Sequence, residues 1–143
     1  MLTGEKANER TNATTTQFYN PNTGDWATSL LERFAIPTTM VGSIIDPGAK
    51  LGVLQSSVAD ATGLSGIDVV VPGTHDTASA VMAVPAIGAA SAQPDWCYIS
   101  SGTWSLMGME VPEPIINDKC GALNFTNEGG VGGRTRVCKK RAG

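Results

Sequence analysis

The stretch Ile67-Asp68-Val69-Val70-Val71-Pro72-Gly73-Thr74-His75-Asp76-Thr77-Ala78-Ser79-Ala80-Val81 contains the change of character that decides the fold. Ile67 to Val71 is β-branched and almost continuously apolar, the pattern of a buried strand. Pro72-Gly73 ends it, because proline brings no N–H to a ladder and glycine opens a turn. From Thr77 to Val84 the residues are small or valine. They predict a closely packed helix that begins near Asp76 or Thr77.

Upstream, residues 1–24 are polar and rich in Thr, Asn and Gly, and read as irregular structure. Trp26, Leu30, Leu31 and Phe34 then fall on one face of a short amphipathic helix, with Asp25 placed to cap it and Pro37 barring its extension. Ile44 to Gly48 reads as a turn, Leu51 to Leu54 as a short strand or helix start, and Ser56 to Thr62 as a helix ended by Gly63. Downstream, Trp96 to Ile99 and Trp104 to Met109 are strand-like and joined by Ser100-Ser101-Gly102-Thr103, a hairpin. A glycine-rich stretch from Asn127 to Gly133 and a basic tail follow.

A carboxylate at the start of a helix faces free N–H groups, which favour its ionised form. Asp76 in that position can act as a general base or simply as an N-cap. His75 can orient a substrate hydroxyl or pack at the strand end, and Thr77 can bind a ligand or cap the same helix. The hairpin tip, with Thr103 at its end, can hold an anion on its N–H groups and hydroxyls, or be an ordinary turn. Glu128-Gly129-Gly130-Val131-Gly132-Gly133-Arg134 fits neither common phosphate-loop frame and reads as a flexible loop with a solvated arginine. Ser79 lacks the G-x-S-x-G frame of a hydrolase nucleophile.

A formal charge of −3 and 16% charged residues give no electrostatic footprint for nucleic acid, and the basic tail has no interleaved aromatics. With 41% apolar residues the chain is not of disordered composition. Its three cysteines lack CxxC spacing and its one histidine has no cysteine nearby, so neither a disulfide framework nor a metal site is expected. No apolar run is long enough for a signal peptide or a membrane span, so a cytoplasmic protein with no membrane partner is expected.

Taken in order, Thr11-Asn12-Ala13-Thr14-Thr15-Thr16-Gln17, Asp25-Trp26, Gly73 to Val81, Tyr98 to Gly108 and Thr126-Asn127-Glu128-Gly129-Gly130 resemble the FGGY family of carbohydrate kinases. The likeness runs almost without gaps from about Leu2 to about Val137, and is to the members that act on L-rhamnulose. It implies an α/β fold, as a fragment of a two-domain actin-like (ribonuclease H-type) sugar kinase, with sugar and ATP in the cleft between the domains. Residues 1–72 would be the end of the N-terminal domain and 73–143 the start of the C-terminal one. Asp76 would be the general base, His75, Asp76 and Thr77 would contact the sugar, and Thr103 would contact ATP. ATP and Mg²⁺ would serve the reaction. The family's first phosphate hairpin and its adenosine-binding glycines have no counterpart here, so the 143 residues alone are expected to be inactive. Two alternatives stay open: another ketose or polyol kinase of the family, or a non-catalytic remnant that only binds or self-associates.

Overall fold

In a computed structural model that describes residues 2–87, 93–102 and 104–141, short strands and helices alternate along the chain. The first half holds β1 (Asn8–Glu9), α1 (Arg10–Ala13), β2 (Tyr19–Asn20), β3 (Asp25–Trp26) and α2 (Thr28–Arg33). These are followed by β4 (Ile44–Ile45), β5 (Lys50–Val53), α3 (Ser56–Thr62) and β6 (Asp68–Val70). The second half holds α4 (Asp76–Met82), β7 (Tyr98–Ser101), β8 (Ser105–Val111), α5 (Asp118–Ala122), β9 (Thr126–Gly129) and β10 (Thr135–Arg141).

The first half pairs only two by two: β1 with β4 in parallel, and β2 with β3 and β5 with β6 antiparallel. The second half forms a four-stranded sheet in the order β7-β8-β10-β9, all antiparallel. Register sets what lies on each face, because side chains alternate along a strand. Tyr98, Gly108, Cys138 and Thr126 form one row, and Glu110, Arg136 and Glu128 form the next row of the same face. Val81 of α4 packs on that face with Tyr98 and Cys138, and Trp96 lies against them. Gly108 is required there. A Cβ on it would stand 2.6 Å from the Tyr98 hydroxyl and 2.8 Å from Cys138 Cβ.

Several local expectations hold. The helix beginning at Asp76, the hairpin of β7 and β8, the strand near Leu51 and the helix ended by Gly63 are all present. Gly63 has φ of +73°, the left-handed cap that glycine adopts without strain.

Others need correction. The strand near Val69 is buried only at its end: Val71 is in the core, but Ile67 is 46% and Val70 55% exposed, because β6 has only β5 as a strand neighbour. Asp25 and Trp26 are not in a helix but in β3, taken by the hairpin with Tyr19 and Asn20. Asp25 accepts from the N–H of Trp26 instead of capping, and the helix that follows buries Leu31 while Leu30 and Phe34 stay exposed. Residues 1–24 are less irregular than their composition suggests, since β1, α1 and β2 lie there. The basic tail, to which the sequence assigned no element, is ordered. It forms β10, an inner strand whose Arg136, Val137 and Cys138 are buried. Cys97, Cys120 and Cys138 are unpaired thiols. Among the described residues no helix is long and apolar enough to cross a membrane.

Candidate active site

The chain leaves the β5–β6 pair at Val71 and enters α4 at Asp76, and the five residues from Pro72 to Asp76 are held from two sides. On one side stands Glu9, only 5% exposed. Its carboxylate accepts from Thr11 N–H at 2.7 Å and from the Thr11 hydroxyl, and from both the N–H and the hydroxyl of Thr74 at 2.8 Å. The Thr11 hydroxyl in turn accepts from the N–H of His75 at 3.2 Å. Burial pushes the Glu9 carboxyl up, but these donors outweigh it and hold it below its usual value. Hydrogen bonds to a charged acceptor are the strong kind, so this clasp fixes the backbone just ahead of Asp76.

On the other side stands Arg136, whose side chain has no exposed surface. Its NH2 group lies 2.7 Å from His75 Nδ1 and 2.9 Å from Glu128 Oε2, and its Nε–H donates to the carbonyl of Gly129 at 3.1 Å. The arginine of the glycine-rich stretch is not solvated as expected: Arg134 donates to the carbonyl of Glu110 at 3.1 Å. Gly132 and Gly133, with φ of +71° and +75°, make the turn that sends the chain back into β10. Tyr98 shares the buried face with Arg136. Burial and then nearby Cys138 push its phenol well up, and the guanidinium only partly offsets this.

Asp76 itself points outward, its side chain 95% exposed. One carboxylate oxygen is engaged locally, accepting from Thr77 N–H at 2.6 Å and from the Thr77 hydroxyl at 3.3 Å, with His75 Nε2 3.7 Å away. Among the described residues the other oxygen has no partner. The structure therefore brings His75, Asp76 and Thr77 to one point, with the ring nitrogen on the side of the carboxylate oxygen that Thr77 engages. Thr103 lies outside the described residues.

The neighbouring cavity, about 280 Å³, is lined by Arg10, Tyr19, Asp46, Glu128 and Arg134 among others, and not by Asp76. Arg10 is committed to structure there, bonded to Asp46, to the Tyr19 hydroxyl and to the carbonyl of Gly24. Among the described residues no three His, Cys, Asp or Glu side chains converge as a metal site would need. Sequence reasoning missed Glu9 and Arg136, which are 65 and 61 residues away from the partners they hold.

A strand, a polar turn and a helix that presents a carboxylate, backed by an antiparallel sheet, make up the candidate site. The N-terminal-domain model of the FGGY family of carbohydrate kinases matches residues 1–83, more than half of the chain, and the chain belongs to that family. A rhamnulokinase from Bacteroides thetaiotaomicron is 43% identical over all 143 residues, which are 28% of that protein. A rhamnulokinase from Yersinia pestis is 44% identical over 99% of this chain and 27% of its own length. The chain thus spans little more than a quarter of the relatives it matches. Among solved structures, a carbohydrate kinase from Novosphingobium aromaticivorans superposes with a TM-score of 0.78 over 99% of this chain and 30% of its own, at 22% identity. A ligand-bound xylulose kinase from Lactobacillus acidophilus gives 0.75 over 97% of this chain and 27% of its own, at 18% identity. These two establish the fold.

Proposed function

We propose that this chain is part of an ATP-dependent kinase that phosphorylates L-rhamnulose at its 1-hydroxyl, with Asp76 as the general base. The observation that carries the reading is the Asp76 carboxylate, with one oxygen anchored by Thr77 and the other free of partners among the described residues. The free oxygen takes the proton of the attacking hydroxyl as the sugar oxygen bonds to the γ-phosphorus and the bond to the bridging oxygen of ADP breaks. A carboxylate is a weak base, so the proton moves late and positioning does much of the work. His75 and Thr77 contact the sugar. Thr103 contacts ATP, and Mg²⁺ enters as part of Mg-ATP. Residues 1–72 are read as the end of the N-terminal domain and 73–143 as the start of the C-terminal one, with the substrates between them. The identity to rhamnulokinases along the whole chain supports the choice of sugar.

A sugar panel with the full-length enzyme tests the substrate. ADP release should be fastest with L-rhamnulose among L-rhamnulose, L-fuculose, D-xylulose and glycerol. Faster turnover of one of the others would move the enzyme elsewhere in the family. Silence on every sugar would favour a non-catalytic protein. The 143 residues expressed alone are expected to show no turnover, since they correspond to 28% of the length of the Bacteroides rhamnulokinase.

A further inference from the structure

We propose that Arg136 is a positioning residue that holds His75 in the imidazole tautomer protonated on Nε2, so that the ring presents a hydrogen-bond donor beside the acceptor carboxylate of Asp76. A guanidinium has only donors. With Arg136 NH2 2.7 Å from His75 Nδ1, that ring nitrogen must be the acceptor and carry no proton. The proton then sits on Nε2, which faces Asp76 Oδ1 at 3.7 Å. The opposite tautomer would set N–H against N–H at one end of the ring and a lone pair against a carboxylate at the other. An imidazolium would share the first of these clashes.

The guanidinium cannot turn away to relieve such a clash. Its NH2 hydrogens are both used, one by His75 and one by Glu128 Oε2 at 2.9 Å, and Nε–H is tied to Gly129. Glu128 Oε2 also stands 3.8 Å from His75 Nδ1, so ring and carboxylate converge on the same arginine nitrogen. The side chain is wholly buried on an inner strand. The orientation of His75 is thus set from inside the sheet, while Nε2 faces the open side. Resting on the sugar-kinase reading above, this places a donor and an acceptor side by side for one hydroxyl group: His75 Nε2–H gives to its oxygen and Asp76 takes its proton.

The test is nitrogen NMR of the full-length enzyme labelled with ¹⁵N-histidine, the His75 signals being assigned by their loss in His75→Asn. In the wild-type enzyme Nε2 should carry the proton and Nδ1 should show the shift of a bare acceptor. In Arg136→Met the two tautomers should mix. In Arg136→Lys, which keeps a donor, the Nε2–H form should persist. With sugar as the varied substrate, Arg136→Met should raise KM roughly three- to tenfold, the loss of about one hydrogen bond, with a smaller change in kcat. Arg136→Lys should recover most of that loss. A wild-type ring protonated on Nδ1 overturns the proposal outright, whatever Arg136→Met does to folding. The two readings fail separately. A correct tautomer in an enzyme that ignores L-rhamnulose sinks the substrate assignment alone, and rapid L-rhamnulose turnover with an Nδ1-protonated ring sinks the inference alone.

Discussion

Glu9 and Glu110 lie in two different regions and are buried almost equally, 5% and 7% exposed, yet their acidities move in opposite directions. Around Glu9, where the first half of the chain meets the loop into α4, donors from Thr11 and Thr74 converge on the carboxylate and keep it more acidic than usual against the effect of burial. Around Glu110, on the face of the four-stranded sheet, burial pushes the carboxyl up and the charges of Arg134 and Arg136 only partly offset it. Burial by itself therefore does not decide what a carboxylate does here; the number of donors aimed at it does. Asp76 differs from both in being exposed and half-engaged, which suits the general base proposed for it.

The largest effect is expected at that exposed carboxylate. Asp76→Asn in the full-length enzyme should lower kcat about 10²- to 10⁴-fold, the usual share of a general base, with little change in melting temperature. The amide keeps the contact with Thr77 but cannot take the proton. Near-normal turnover would mean that Asp76 only orders the first turn of α4.

Next comes the sheet face. Gly108→Ala would push a methyl group to 2.6 Å from the Tyr98 hydroxyl and 2.8 Å from Cys138 Cβ, in a layer with no slack. Unfolding in urea should show a loss of about 2–3 kcal/mol, in the overpacking range. An unchanged midpoint would mean that Tyr98 moves aside freely, and the packed face would then be looser than described.

Glu9→Gln should cost about 1–2 kcal/mol, because at least one donor would meet an amide N–H instead of an oxygen. The pH dependence has a definite sign. The carboxyl is more acidic folded than unfolded, so its contribution is fully present above the ordinary value of 4.5 and is lost as pH falls through the lower folded value. The gap between wild type and Glu9→Gln should close on the acid side. A gap that stays constant down to low pH would show that shape, not charge, matters at this position.

These contrasts also explain what could be seen in the residues beforehand. The helix at Asp76, the β7–β8 hairpin and the Gly63 cap rest on signals within a few residues of themselves, and all were legible. The position of His75-Asp76-Thr77 at the entry to α4 was legible too, because a turn between strand and helix is itself a local pattern, while the roles proposed for them came from the family resemblance. Asp25-Trp26 was misread because a hairpin partner, Tyr19-Asn20, competes with the helix for it and leaves no mark in the helical spacing. Glu9 and Arg136 were missed for a stronger reason. Their roles exist only through contacts across 65 and 61 residues, and in the sequence each is an ordinary charged residue in a polar stretch.

The smallest effect is expected at Glu110, and it tests the comparison most directly. A carboxyl whose acidity is lowered by burial holds its proton more tightly folded than unfolded. Its favourable contribution is therefore present below 4.5 and lost as pH rises toward the higher folded value, the reverse of Glu9. At neutral pH the charged form is a liability, which Arg134 and Arg136 reduce without cancelling. Glu110→Gln keeps the volume and removes the charge. Its stability at pH 7 should lie within about 0.5 kcal/mol of wild type, or slightly above it. The backbone carbonyl of Glu110, which accepts from Arg134, is untouched by the change. Urea unfolding at pH 7 and at pH 4 measures both ends: the variant should match or exceed wild type at the higher pH and lose ground at the lower one. A clear loss at pH 7 would show that Glu110 is a full ion-pair partner of the buried Arg136. The row Glu110, Arg136, Glu128 would then be a charge triad holding the arginine from both sides, and the contrast with Glu9 would disappear.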